Sequence, residues 1–303
     1  MKKILLPTDF SGNSWNAIEY AVALFKNSVC TFFLLNAYSE IEYESVHISD
    51  IPSERATENT IRVAAIKNLE HIKTTVEKIH PNPKHSFEIV AGLGLLTDVT
   101  QEIVKREKID LVIMGTKGAT GAKEVFLGSN TVRMINRIKN CPVLGVPESF
   151  TFGLKPLEII FATDFNHFYS REELVPLLDI ATSFHAIVRI VYVQKDTDVL
   201  TEEQKFNLEM LQTYLKGIKN YQHTLVNSTN SIAESLTTFA ENMGVHLIAM
   251  LYYKHGFIEK LTREPVINTV SFHTRIPFLI LPESGMSASF SSTLKSASKL
   301  YNG

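Results

Sequence analysis

Lys3-Ile4-Leu5-Leu6-Pro7-Thr8-Asp9-Phe10 and Glu158-Ile159-Ile160-Phe161-Ala162-Thr163-Asp164-Phe165 are two versions of one pattern. Each is a short apolar run closed by Thr-Asp-Phe, and each leads into helix-like periodicity. A second pair lies further on. Cys141-Pro142-Val143-Leu144-Gly145-Val146-Pro147-Glu148-Ser149 matches Ile276-Pro277-Phe278-Leu279-Ile280-Leu281-Pro282-Glu283-Ser284 in its two prolines and the closing Glu-Ser. Two such pairs in the same order indicate a duplicated unit.

Between these landmarks, apolar runs alternate with helical stretches. Runs at 3–7, 31–37, 85–91, 110–115 and 143–147 are short and bounded by polar or turn residues, as buried parallel strands are. Helices are expected near 13–26, 55–79, 94–107 and 129–139, the last with Val132, Ile135 and Ile138 on one face. In the second half the strands are expected near 158–163, 186–193, 222–227, 246–251 and 278–281. Its helices are expected near 170–184, 201–219, 230–243 and 265–273. This alternation predicts an α/β chain of two doubly wound domains, each a five-stranded parallel sheet with helices on both faces. The domains span 1–149 and 156–284, with a short join from Phe150 to Pro156. Residues 285–303 form a Ser-rich tail with no strand pattern and room for a short helix near Thr293–Leu300.

A length of 303 residues suits two domains, each large enough to bury a core without disulfides or metal. The net charge of -2 supplies no basic footprint for nucleic acid and no polybasic membrane patch. Two cysteines, Cys30 and Cys141, are too few for a disulfide framework and fit reduced, buried thiols. Pro7 ends the first apolar run well short of a signal h-region, and no run is long enough to span a membrane. These features predict a cytoplasmic protein.

The chemistry concentrates in Asp110-Leu111-Val112-Ile113-Met114-Gly115-Thr116-Lys117-Gly118 and its continuation to Gly128-Ser129-Asn130-Thr131. A buried strand ends at Gly115, a loop follows, and a helix opens at Ser129. Ligands of open α/β sheets bind outside the carboxyl ends of the strands, where this loop must lie. Gly115 and Gly118 allow close backbone approach, and a helix start at Gly128-Ser129 offers free N–H groups to an anion. Taken singly, such glycines are ordinary turns and such a serine is an ordinary N-cap. Together they suit a polyphosphate.

The spacing Gly-x2-Gly-x9-Gly-Ser, with the opening Ile4-Leu5-Leu6-Pro7-Thr8-Asp9-Phe10-Ser11, resembles the universal stress protein family. The resemblance runs over essentially the whole chain, twice, but the glycine signature occurs once. It implies a tandem member with an adenine nucleotide alpha hydrolase-like fold that binds ATP, with Mg²⁺ held chiefly by the phosphates. By the same resemblance Asp9 lies beside the adenine or ribose, with Pro7 and Thr8 lining the crevice. Ala37 contacts adenine, and Met114 and Gly115 border the ribose. Lys117 and Gly118 approach the phosphates, which Gly128, Ser129, Asn130 and Thr131 hold. In the family two such domains pair through their last strands, which here implies Val143–Val146 against Phe278–Leu281 within the chain. A homodimer of whole chains is a further implied partner.

The second half departs from the signature. Tyr252-Tyr253-Lys254 follows its fourth strand without the glycines, and Arg263-Glu264-Pro265 stands where Gly128-Ser129-Asn130 does. Glu264 would repel phosphate, so one live site is expected, in the first half. There is no Gly-x4-Gly-Lys-Ser/Thr loop and no Gly-x-Gly-x2-Gly fingerprint. The ten histidines include no i, i+4 pair, and His167 reads as a helix-start residue before a metal ligand. No nucleophile–base set is evident. The expected role is a nucleotide-dependent regulatory module of the stress response. The alternatives are a slow ATPase or phosphate-transferring enzyme with Asp9 as its acid–base candidate, and a scaffold with a vestigial pocket.

Overall fold

The computed structural model describes residues 1–39, 54–116, 129–148, 157–194, 199–226, 232–253 and 276–283. The chain divides into two compact units, Met1–Phe152 and Gly153–Gly303.

The first unit runs β1 (Lys2–Pro7), α1 (Gly12–Leu24), β2 (Cys30–Tyr38), α2 (Glu54–Ile79), β3 (His85–Leu93), α3 (Leu96–Glu107), β4 (Leu111–Gly115), α4 (Ser129–Arg137) and β5 (Val143–Val146). Its strands are parallel in the order β3-β2-β1-β4-β5. Ile4, Leu5 and Leu6 are fully buried because β1 lies at the centre, covered on both faces, which is why its sequence is a continuous apolar run. Each such side chain contributes about 1.5–3 kcal/mol by leaving water. From β1 the chain steps outward to β2 and β3, then returns across to β4 and β5. Right-handed crossovers therefore put α1 and α2 on one face and α3 and α4 on the other. The packing agrees: α1 lies against β4 and β5, α2 against β2 and β3, and α3 against β1, β2 and α4.

Local signals position the helices. Ser11 caps α1, its Oγ accepting from the Ser14 N–H at 3.2 Å, a contact of about 1 kcal/mol. Val99, Ile103 and Val104 of α3 are buried at helical spacing, and the helix stops at Lys108 in the left-handed region.

The second unit runs β6 (Glu158–Thr163), α5 (Arg171–Ser183), β7 (Ile187–Gln194), α6 (Glu202–Tyr214), β8 (Asn220–Val226), α7 (Ile232–Asn242), β9 (Leu247–Tyr252) and β10 (Phe278–Pro282). Its parallel order is β8-β7-β6-β9-β10, the topology of the first unit repeated. Capping boxes start α5 at Ser170/Glu173 and α6 at Thr201/Gln204.

All ten expected strands form close to their expected bounds. Helix α6 is shorter than its pattern because the chain turns at Leu215–Gly217, with Gly217 at φ 89°, to enter β8. The helices expected near 265–273 and Thr293–Leu300 lie outside the described residues.

Candidate functional site

In the first unit β1 and β4 are neighbours whose following crossovers leave in opposite directions, so a crevice opens beyond their carboxyl ends. Pro7 ends β1 and is buried, and Thr8 is 6% exposed. The Thr8 N–H donates to the Leu35 carbonyl at 2.7 Å, and its own carbonyl accepts from the Asn36 carboxamide at 2.8 Å. Its hydroxyl lies 3.0 Å from Ser14 Oγ and accepts from the Phe10 N–H at 3.0 Å. This net pins the β1–α1 loop and leaves Asp9 exposed at its tip. Asp9 Oδ1 accepts from both the N–H and the hydroxyl of Ser11. Phe10 then takes a left-handed φ of 63° to turn the chain into α1.

Across the crevice, Met114 is buried and Gly115 ends β4. A β-carbon at Gly115 would meet Asn13 Nδ2 at 2.4 Å, its Cγ at 2.8 Å and its carbonyl oxygen at 2.9 Å. No real β-carbon sits that close, so the approach of β4 to the first turn of α1 requires glycine. Thr131 is 1% exposed, and its hydroxyl donates to the Gly115 carbonyl at 3.2 Å. That bond ties the first turn of α4, and hence its N–H groups, to the end of β4. Ala37 is half-buried on β2, opposite Gly92 of β3. Asn130 is exposed in the first turn of α4, which opens at Ser129. Lys117, Gly118 and Gly128 lie outside the described residues.

Pro7, Thr8, Asp9, Gly115 and Thr131 thus converge on one crevice. Three polar residues that hold it, Asn13, Ser14 and Asn36, were not among the sequence candidates. Asn36 left a signal, being the one carboxamide inside the apolar strand Cys30–Tyr38. Asn13 left none, because its partner Gly115 is remote in sequence.

The corresponding turn of the second unit is bonded by side chains of its own domain. Strand registers pair Ile4 with Leu111 and Ile159 with Leu247, so Leu251 occupies the position of Gly115 and Tyr253 that of Lys117. Asp164, the counterpart of Asp9, is only 6% exposed. The Tyr253 hydroxyl donates to Asp164 Oδ1, and the Asn166 N–H donates to the same oxygen at 3.2 Å. From α6, Gln204 donates to the Asp164 carbonyl at 2.9 Å and Asn207 to the Phe165 carbonyl at 2.8 Å. Burial, reinforced by the Asp164 carboxylate, pushes the Tyr253 hydroxyl pKa well up and keeps it a donor. His167 is buried, with Nε2 3.3 Å from Glu173 Oε2 and its ring 4.8 Å from that of Tyr253. Among the described residues no group of three or more His, Cys, Asp or Glu side chains could hold a metal ion. Arg263 and Glu264 lie outside the described residues.

The repeated order, with a crevice at its switch point, defines a pair of doubly wound α/β domains. The model of the universal stress protein family matches residues 1–147. Two universal stress proteins of Methanocaldococcus jannaschii are similar to the chain. One is 29% identical over 157 residues, covering 48% of this chain and 94% of the relative. The other is 30% identical over 152 residues, covering 48% and 81%. The crystal structure of a universal stress protein from Archaeoglobus fulgidus superposes with a TM-score of 0.66 at 17% identity, over 94% of this chain and 97% of that one, and shares the fold. The chain belongs to the universal stress protein family. No helix among the described residues is long and apolar enough to cross a membrane.

Proposed function

We propose that the first unit binds an adenine nucleotide, ATP above all, and acts in the cytoplasm as a nucleotide-dependent module of the stress response. The observation that carries this reading is the seam between β4, α1 and α4. Gly115 abuts Asn13, and Thr131 ties the α4 start to the same carbonyl. A β-carbon-free strand end lets β4 meet the first turn of α1 while the start of α4 is tied to the same residue, and such a setting favours a polyphosphate. Pro7, Thr8, Asp9, Ala37, Met114 and Gly115 would hold the nucleoside. Lys117, Gly118, Gly128, Ser129, Asn130 and Thr131 would hold the phosphates, whose oxygens supply most ligands of an accompanying Mg²⁺. The second unit takes no nucleotide on this reading, because Tyr253, Gln204 and Asn207 already satisfy the Asp164–Phe165 turn. The active assembly is a tandem chain that can also form a homodimer, which light scattering tests.

A slow ATPase is the second reading, supported by the exposure of Asp9 at the tip of the crevice loop. The chain lacks the P-loop Lys-Ser/Thr on which fast phosphoryl transfer depends, so turnover under this reading is slow. The test is mass spectrometry of small molecules released by denaturing the purified protein, followed by calorimetric titration of the emptied chain with ATP. One nucleotide per chain, abolished in Gly128→Glu with the fold retained, is expected. No carried nucleotide and no titratable affinity would reduce the crevice to a scaffold feature. Phosphate release separates binding from hydrolysis.

A further inference from the structure

A second opening adjoins the crevice loop on the α1–α2 face of the first unit. It has a volume of about 410 Å³ and is lined by Phe10, Ser11, Gly12 and Trp15 on one side and by Asn68, His71, Ile72 and Thr75 on the other. Small-molecule sites usually occupy ~300–1,000 Å³. None of the residues proposed to hold the nucleotide lines it.

Phe10 gives this cleft its meaning. The Thr-Asp-Phe turn is duplicated, and both phenylalanines adopt left-handed backbone, at φ 63° for Phe10 and 56° for Phe165. Such a conformation is unfavourable for a bulky residue and persists where something compensates it. In the second unit the compensation is visible: Phe165 is fully buried, its ring 5.4 Å from that of Tyr192. In the first unit the same turn leaves Phe10 38% exposed at the cleft wall. The counterpart of Tyr192 by strand register is Asn36, which bonds the Thr8 carbonyl and offers no ring. The aromatic surface that is covered internally in one unit is therefore presented to the cleft in the other.

We propose that this cleft is a second small-molecule site, taking a neutral planar aromatic compound between Phe10 and Trp15 on one wall and Ile72 on the other. The chemistry of the lining sets the class. None of the described lining residues is Asp, Glu, Lys or Arg, so no charge of the ligand is matched. The rings of Phe10 and Trp15 favour stacked or edge contacts with another ring. Ser11, Asn68, His71 and Thr75 add hydroxyl, carboxamide and imidazole groups to the lining as donors and acceptors. The Thr75 hydroxyl donates to the His71 carbonyl at 2.7 Å and presents its lone pairs as acceptors. The site stands apart from the nucleotide proposal, since a chain unable to bind ATP would still take this ligand.

Trp15 is the single tryptophan of the chain, so 5-fluorotryptophan labelling of the full-length protein gives one ¹⁹F resonance inside the cleft. The probe is benzimidazole, titrated with and without excess ATP. A saturable shift with a midpoint below about 1 mM, within reach of a fragment of this size, is expected in both conditions. Phe10→Ala should weaken it at least about fivefold by removing a ring from the wall. Gly12→Leu should abolish it, since nothing lies within 4 Å of a β-carbon there and the side chain grows into open space with the fold intact. A shift that never saturates overturns the proposal. So does one that excess ATP removes, which assigns the probe to the nucleotide crevice, and so does wild-type behaviour in both variants.

Discussion

Adding one methyl group at Gly115 is the sharpest perturbation of the crevice. A β-carbon there would sit 2.4 Å from Asn13 Nδ2, 2.8 Å from Asn13 Cγ and 2.9 Å from the Asn13 carbonyl oxygen. The side-chain contacts are relieved by turning the carboxamide, but the carbonyl belongs to the first turn of α1 and moves only with the helix. Strain of this kind costs about 1–3 kcal/mol. For a unit of this size, about 2 kcal/mol lowers Tm by roughly 4–8 °C. The same shift of β4 off α1 pulls the Gly115 carbonyl away from Thr131 and loosens the start of α4. A displacement near ~1 Å at a positioned ligand is enough to weaken function about 100-fold. Gly115→Ala should therefore lose both stability and ATP affinity. Urea and thermal unfolding of Gly115→Ala, Asn13→Ala and the double variant form a cycle that isolates the contact. The double variant should regain part of the loss, and the residue should remain with the carbonyl contact. A Gly115→Ala protein with unchanged Tm, or strictly additive losses, would refute the close-approach argument.

In the second unit, Tyr253→Phe removes the donor from a buried carboxylate and should destabilise that unit by about 1–3 kcal/mol in urea unfolding, while Asp164→Ala should leave the ATP stoichiometry at its wild-type value. His223 faces Arg189, whose Nη1 lies 3.1 Å from its Nε2, with Glu158 beyond it and the Phe239 ring 5.0 Å away. Burial, then the Arg189 charge, lower its pKa from the ordinary 6.5. The unfolded chain therefore binds this proton more readily, and its contribution to stability is present above about pH 6.5 and lost as pH falls through the lowered value. Melting across pH 5 to 8 should show that acid loss flattened in His223→Gln; an unchanged profile would exclude His223 as its source. Burial pushes the Cys141 thiol up to about 12 and the Cys30 thiol up to about 11. A thiol reagent at neutral pH should accordingly titrate no cysteine in the native chain and both after denaturation.

Much of this architecture is legible in one dimension because parallel strands covered on both faces leave an unmistakable trace. Ile4-Leu5-Leu6 and Val112-Ile113-Met114 are uniformly apolar since each β-carbon points into a core. The duplicated Thr-Asp-Phe turns and Pro-flanked last strands then place the two units, and Gly115 marks the crevice. Other parts leave no such trace. The partnership of Gly115 with Asn13 is a contact between β4 and α1, and neither residue announces the other. The end of α6 at Tyr214 depends on where the chain must turn to reach β8 rather than on helix propensity.

The fate of the second crevice divides the two kinds of information most clearly. The sequence after Met250 lacks the glycines that stand at the end of the first unit's fourth strand and in the residues after it. That the Asp164–Phe165 turn is bonded internally, by Tyr253 from the end of β9 and by Gln204 and Asn207 from α6, follows only once those elements are packed together. Conversely, two identical turns with the same left-handed phenylalanine end in opposite states, Phe165 buried and Phe10 exposed. The backbone conformation is local and is written into Thr-Asp-Phe. Burial is a property of the neighbours, which are α2 across the cleft from Phe10 and β7 and α6 around Phe165.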